Sequence, residues 1–217
     1  MKITRTANAG ILLELDGVTI LMDGVCREVK PYPVTPPRER ERLMQHWPDI
    51  VAFTHAHKDH YDPDYAAQYQ AQTGGVILGP EDLPRCVSSM KPEQVGAVTV
   101  TPISSRHIGA AGKTISHASF IVKGSKCLWF LGDSSPLLWK DRQDLPKPDV
   151  LAVPYAYATT ETGLRIAQSL GAEHMILLHM PQREEDTLGL WQAVEAVAGH
   201  EIGNKLHIPA MCETIYF

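Results

Sequence analysis

The sequence lacks features that would assign it to several large classes of protein. It has no basic cluster, and its formal net charge of −5 over 217 residues is unlike that of a nucleic-acid-binding domain. No apolar run approaches membrane-spanning length, and the start, MKITRTANAG, has no apolar stretch of the kind found in signal peptides. We therefore expect a cytoplasmic protein with no membrane segment and no preference for nucleic acid.

Cysteines are few and show no paired spacing. The four are Cys26, Cys86, Cys127 and Cys212. Scattered cysteines of this kind favour buried thiols in a reducing compartment over disulfides or a thiolate metal site.

The remaining composition is that of a globular chain with a large core, because 44% of the residues are hydrophobic and 21% are charged. We expect one domain over residues 1–217 and make no prediction of oligomeric state. A strand-rich run leads into α/β units, and the second half of the chain repeats this order. Two such halves predict two sheets packed face to face with helices outside them, an α+β fold.

Strands are predicted where apolar residues alternate or form short runs, and a hairpin is predicted at Asp16-Gly17. The predicted strands are ILLEL, VTILMD, DIVAF, GGVILG, AVTVTPI, ASFIV, CLWFL, DVLAVPY, HMILLHM and ETIYF. The predicted helices are RERERLMQHW, starting near Thr35 and Pro36, then PDYAAQYQAQ, TETGLRIAQSLG and EDTLGLWQAVEAVAG. The segment PEDLPRCVSSM is predicted to be a helix or a turn.

The strongest chemical signal is the stretch THAHKDHYD, which follows the apolar run DIVAF. It places His55, His57, Asp59 and His60 within six positions. Imidazole and carboxylate groups suit a borderline-soft divalent ion such as Zn²⁺. Four candidate ligands in one loop exceed what a single tetrahedral ion needs from it, which indicates two ions.

Further candidate ligands follow other apolar runs. His107 follows AVTVTPI, Asp133 follows CLWFL and His179 follows MILL. Each would lie at the same edge of the sheets, and the two oxygens of Asp133 suit it to bridge two ions. His117, at the start of ASFIV, is the main rival to His107.

This set of motifs resembles the metallo-β-lactamase-fold superfamily, and the likeness extends from AGILLELDGVTILMD over nearly the whole chain. The resemblance implies a four-layer αββα sandwich, a dinuclear zinc site and hydrolysis. It implies that His55, His57 and His107 bind the first ion. It also implies that Asp59, His60 and His179 bind the second, with Asp133 between them and Asp23 bracing the loop.

Among members of that superfamily, the short chain looks most like the metal-dependent hydrolase group that includes ascorbate-6-phosphate lactonase. That group often has His at the position of Asn8, and Pro at the position of Gly24. His57 stands where flavin-linked diiron relatives carry a carboxylate, which favours zinc and hydrolysis, although Mn²⁺ or Fe²⁺ could compete.

These observations predict a dinuclear metal-dependent hydrolase of a small anionic ester, lactone or phosphodiester, acting through a metal-bridging hydroxide. Asp59 would orient the nucleophile and move its proton. Two other functions stay open: a metal-bound sensor or binding protein without turnover, and an RNA-processing nuclease. Tyr155 and Tyr157 follow DVLAVP at the expected ligand edge, where they would either bind substrate or pack the strand end.

Overall fold

The computed structural model describes residues 1–109, 114–140, 142, 144–199 and 205–217. The helices are α1 (Pro37–Gln45), α2 (Pro63–Thr73), α3 (Glu161–Ser169) and α4 (Leu190–Val197). The strands are β1 (Lys2–Arg5), β2 (Ile11–Leu15), β3 (Val18–Met22), β4 (Ile50–Ala52), β5 (Ile77–Leu78), β6 (Ser88–Ser89), β7 (Glu93–Val95), β8 (Val98–Ser105), β9 (His117–Lys123), β10 (Cys127–Phe130), β11 (Val150–Pro154), β12 (His174–Leu178), β13 (Leu206–His207) and β14 (Thr214–Tyr216).

The strands form two seven-stranded mixed sheets across the described ranges. Their orders are β14-β1-β2-β3-β4-β5-β6 and β13-β12-β11-β10-β9-β8-β7. In the first sheet, antiparallel pairing up to β3 gives way to parallel pairing from β3 to β6. The second sheet repeats this change at β10. The two halves of the chain therefore build the same kind of sheet, as the repeated order of elements predicted.

The layers follow from the two faces of each strand. Alternate side chains such as Leu13 and Phe120 point between the sheets and form one buried core. On the outer face of the first sheet, Tyr65 of α2 packs in a second cluster with its neighbours. Leu164 of α3 and Val194 of α4 do the same on the second sheet. The α+β class and the αββα sandwich are confirmed.

The hairpin between β2 and β3 turns where the sequence predicts it. Leu15 pairs with Val18, and the turn residues Asp16 and Gly17 both have positive φ, 52° and 81°. Asp-Gly suits this turn because Asp tolerates the left-handed region and Gly has no Cβ to clash there.

Three predictions of local structure were incomplete. Residues 80–90 form turns and the short strand β6, and no helix. The last helix begins at Leu190 and not near Glu185, because Gly189 lies in the left-handed region with a φ of 70°. Strands β1, β7 and β13 were missed, since they are short and gain their stability from pairing with neighbours. Every helix in the described ranges is too short or too polar to cross a bilayer.

Candidate metal centre

The histidine-rich loop leaves β4 at the edge of the first sheet and is anchored there by Asp23. The Thr54 backbone N–H donates to Asp23 Oδ1 at 2.7 Å, and the Thr54 hydroxyl donates to Asp23 Oδ2 at 2.6 Å. Asp23 is fully buried and has a φ of 48°, in the left-handed region that Asp tolerates better than most residues other than glycine.

Asp23 also fixes which ring nitrogen of two histidines stays free. His60 Nδ1 lies 2.8 Å from Asp23 Oδ2, so it donates to the carboxylate. His55 Nδ1 lies 2.9 Å from the Thr54 hydroxyl oxygen. Because that hydroxyl already donates to Asp23, it accepts a hydrogen bond from His55. The Nε2 atoms of both histidines therefore keep their lone pairs, as a metal ligand requires.

Three further side chains come from strand ends of the second sheet. His107 follows β8, Asp133 follows β10 and His179 directly follows β12. Gly132 has a φ of 53°, and a Cβ there would lie 2.5 Å from the Thr54 side chain. Glycine at position 132 thus lets Asp133 come close to the histidine-rich loop.

All seven predicted ligands converge at this edge of the sandwich. The ligand atoms fall into three groups, each within 4.8 Å: His55, His57 and His107; His55, His60 and Asp133; and Asp59, His60 and His179. The first and third groups have the same members as the two ligand sets that the resemblance implied. The middle group places Asp133 between them. That these residues bind metal stays a prediction.

Several buried polar atoms of this cluster have no hydrogen-bond partner. They are His55 Nε2, His60 Nε2, His107 Nε2, His179 Nδ1 and Asp133 Oδ1. The Nε2 atoms of His60, His107 and His179 surround Asp133 Oδ2 at 3.4, 3.5 and 3.3 Å. Buried polar atoms are rarely left unpaired, so a cluster of them beside buried carboxylates is the arrangement expected of ligands for a cation. The residues present fit divalent metal ions.

The electrostatics of the cluster also favour positive charge. Burial alone would lower the pKa of His179, but Asp133 and Asp59 raise it to about 9. Burial likewise opposes charge on His60, yet Asp133 and Asp23 raise its pKa well above the usual value. The pKa of Asp133 is held well below its ordinary range, since His179 and His60 outweigh its burial. Without a metal, protons would supply part of the positive charge that these carboxylates attract.

The geometry separates His107 from its rival His117. His107 Nδ1 donates to the Ile108 carbonyl oxygen at 2.6 Å, which leaves Nε2 free. Both nitrogens of His117 are occupied: Nε2 accepts the Asp133 N–H at 3.1 Å, and Nδ1 lies 2.7 Å from the Ser105 hydroxyl oxygen. The structure therefore favours His107 as the ligand. His117 instead holds the backbone of Asp133 in position through a hydrogen bond.

The two predicted substrate contacts differ in placement. Tyr157 is fully buried, and its hydroxyl donates to the Ser134 carbonyl oxygen at 3.1 Å. Of the two roles that the sequence left open for Tyr157, this placement favours packing at the strand end over substrate contact. Tyr155 is half-buried, and its ring lies 5.6 Å from the His179 ring. It remains a candidate for substrate binding.

Two residues near the ligands were not predicted to belong to the site. Asn8 is fully buried and donates to Asp59 Oδ2 at 3.2 Å. The ring of Tyr32 lies 4.2 Å from the His179 ring, edge to face. Burial raises the pKa of the Tyr32 phenol, and Tyr155, Asp133 and Asp59 raise it further. For Tyr32, the only signal in the sequence was its place between two prolines in KPYPV, which marks a rigid loop without indicating a function.

The family model described as the β-lactamase superfamily domain matches residues 2–179. This match spans well over half of the chain, and the αββα fold agrees with it. The chain belongs to the β-lactamase superfamily. No curated protein sequence matches it significantly.

Solved structures share the fold at low sequence identity. An isothiocyanate hydrolase from Delia radicum gut bacteria is 20% identical, with a TM-score of 0.72 and coverage of 100% of this chain and 99% of that chain. A protein from Veillonella parvula, described as a possible metal-dependent hydrolase, is 18% identical, with a TM-score of 0.70 and coverage of 99% and 98%. A diiron β-hydroxylase from Streptomyces venezuelae is 14% identical, with a TM-score of 0.67 and coverage of 100% of this chain and 54% of that chain. The fold alone therefore does not select zinc over iron.

Proposed function

We propose that the chain is a metal-dependent hydrolase that binds two divalent ions, with zinc preferred, and cleaves a small anionic ester, lactone or phosphodiester. The observation that carries this proposal is the convergence of seven His and Asp side chains, five of which have a buried nitrogen or oxygen atom without a hydrogen-bond partner. Family membership and the hydrolase names of two structural neighbours support it.

Bound ions would lower the pKa of their water to about 7, which supplies a hydroxide near neutral pH, and would polarise the substrate oxygen. The ligand set provides only two carboxylates, Asp59 and Asp133. They would neutralise only part of the charge of two divalent ions, so the site with its ions would stay positively charged and would favour an anionic substrate.

Asp59 is the residue proposed to handle the proton of the nucleophile. Its Oδ2 lies 3.1 Å from His179 Nε2 and accepts the amide N–H of Asn8. Burial alone would raise the pKa of Asp59, but the bond from His179 and the charge of His60 hold it below the ordinary value. Asp59 is therefore ionised at neutral pH and able to accept a hydrogen bond or a proton.

The metal stoichiometry is the first test. We expect elemental analysis of the gently purified protein to find about two divalent ions per chain, because one tetrahedral ion needs only four of the seven candidate ligands. A chain that holds no more than one ion, even with metal in excess, contradicts the dinuclear site.

Turnover is the second test, and it separates a hydrolase from a metal-bound sensor. The metal-loaded protein is assayed against bis(4-nitrophenyl) phosphate, an anionic aryl ester, a lactone and an aryl isothiocyanate. The isothiocyanate is included because of the name of one structural neighbour. Metal-stripped protein, with and without restored zinc or manganese, is the control. We expect metal-dependent hydrolysis of an anionic substrate, whereas a fully loaded protein that cleaves none of the four argues for a sensor.

A further inference from the structure

Two tyrosines, from segments that follow strands of different sheets, flank the same predicted ligand. Tyr32 lies in the loop between β3 and α1, and Tyr155 directly follows β11. Their rings lie 4.2 Å and 5.6 Å from the ring of His179, both in edge-to-face arrangements. Both phenols are also close enough to Asp133 and Asp59 to be affected by the charge of those carboxylates.

The hydroxyls of these two tyrosines differ from those of the buried tyrosines. Tyr61, Tyr65, Tyr69 and Tyr157 all donate to backbone carbonyl oxygens. Neither Tyr32 nor Tyr155 has a hydrogen-bond partner for its hydroxyl within the described residues. Both side chains are half-buried. Their phenols are thus held beside the metal centre with a donor that no described residue uses.

Both tyrosines stand on well-fixed backbone. The Tyr32 N–H donates to the Val29 carbonyl oxygen at 2.9 Å, and Pro31 and Pro33 on either side restrict the chain. The Tyr155 carbonyl oxygen accepts the N–H groups of Ala158 and Thr159 at 2.9 and 3.0 Å. A donor on a fixed backbone loses little conformational freedom when it binds a ligand.

We propose that Tyr32 and Tyr155 form a pair of phenolic donors that binds an oxygen of the substrate on the His179 side of the metal centre. The pair selects substrates whose reacting group presents an acceptor oxygen there, as the carbonyl of an ester or the phosphoryl group of a phosphodiester does. This inference rests on the proposed function, because it requires substrate to occupy the metal centre.

The test is equilibrium binding of inorganic phosphate to metal-loaded protein, measured by calorimetry, which does not depend on turnover. The variants are Tyr32→Phe, Tyr155→Phe and the double variant. Tyr216→Phe is the control, since Tyr216 is 73% exposed on β14. Each single variant loses one hydrogen bond to a charged ligand, so it is expected to weaken phosphate binding about tenfold or more. Metal content and the control should not change.

The outcomes separate the two proposals. If both single variants bind phosphate within about twofold of the native protein at equal metal content, the tyrosine pair is excluded, whether or not the protein is a hydrolase. If phosphate binding depends on the tyrosines but the native protein cleaves none of the four test compounds, the pair stands and the hydrolase proposal fails.

Discussion

The two ends of β12 each carry a histidine, and the two residues have different surroundings. His179, just past the carboxyl end, is buried with a φ of 58°, and its Nε2 lies within 3.3 Å of both Asp59 and Asp133. His174, at the amino end, is half-buried, and its Nδ1 lies 3.1 Å from His207 Nε2. At the carboxyl end, the imidazole faces two carboxylates. At the amino end, two imidazoles face each other and Phe217.

This difference shows that the number of histidines is a weaker signal than the direction of their free nitrogens. A metal-binding histidine almost always has one ring nitrogen held by a hydrogen-bond partner, while the other ring nitrogen binds the ion. His55 and His60 meet both conditions through Asp23, whereas His174 and His207 use facing nitrogens on each other. The carboxyl end of the parallel strands therefore holds the candidate chemistry, and the amino end holds structural contacts.

The largest effect is expected for Asp59→Asn at the carboxyl end. The amide keeps the size of the side chain but loses the charge and cannot take a proton. We expect kcat to fall about 100-fold or more, in the range for loss of a general base. His174→Asn at the amino end is the matched control and should keep near-native kcat. A folded, metal-saturated Asp59→Asn variant with near-native turnover would contradict both proposed roles of this residue.

The next effect concerns His107 and His117. We expect His107→Ala to lose about one ion per chain, because its free Nε2 belongs to the first ligand group. His117→Ala should keep both ions but bind them more weakly, since it removes the acceptor for the Asp133 N–H. Elemental analysis and chelator competition measure the two effects. Loss of an ion only from the His117 variant would reverse the assignment.

A smaller effect, on metal affinity, is expected for Asp23→Asn. This variant tests whether the orientation of the histidines is what distinguishes the carboxyl end of β12 from its amino end. Asp23 contacts Thr54 and His60, and losing such a partner typically costs 10–100-fold in metal affinity. Asp49→Asn is the control, because Asp49 bonds Thr19 at the opposite end of β4. Equal metal affinity in the two variants would show that Asp23 does not orient the ligands.

The smallest effect is a pH dependence of stability that comes from His207, which faces His174 at the amino end of β12. Burial, and then the facing His174, lower the pKa of His207 below its ordinary value of 6.5. The unfolded chain therefore binds a proton at His207 more readily than the folded chain does. The contribution of His207 to the free energy of unfolding is complete above about pH 6.5, and it is lost as the pH falls through the folded pKa. Urea unfolding at about pH 7.5 and 5.5 should show a smaller decrease in midpoint for His207→Asn than for the native protein. An equal decrease would mean that His207 does not contribute.

Local sequence rules predicted most of the fold. The hairpin at Asp16-Gly17 and the helix at Pro63 both have strong local signals: a turn that needs positive φ, and a proline at the first helical position after the capping residue Asp62. Strand β13 has only two residues and gives no such signal. Its pairing with β12 depends on residues distant in the chain, so periodicity could not detect it.

The candidate site was predictable to the extent that its residues follow apolar strands. His107, Asp133 and His179 each come after such a run, and strands of one sheet end at a common edge. Tyr32 lies well past the end of β3, in the loop before α1, and its contact with His179 is a tertiary one that no local pattern predicts. Tyr157 follows the same strand as Tyr155 but turns into the core, where Ser134 satisfies its hydroxyl.

Most of the elements, the αββα class and the types of side chain available for metal binding could be read from the sequence alone, because these depend on local periodicity and on the chemistry of each residue. Which atoms are free depends on the tertiary structure. The lone pairs of His55 and His60 face inward because Asp23 and Thr54 hold the opposite nitrogens, and His117 is withdrawn because Asp133 and Ser105 occupy both of its nitrogens. Hydrogen bonding assigns these roles, and its partners meet only when the two sheets pack together.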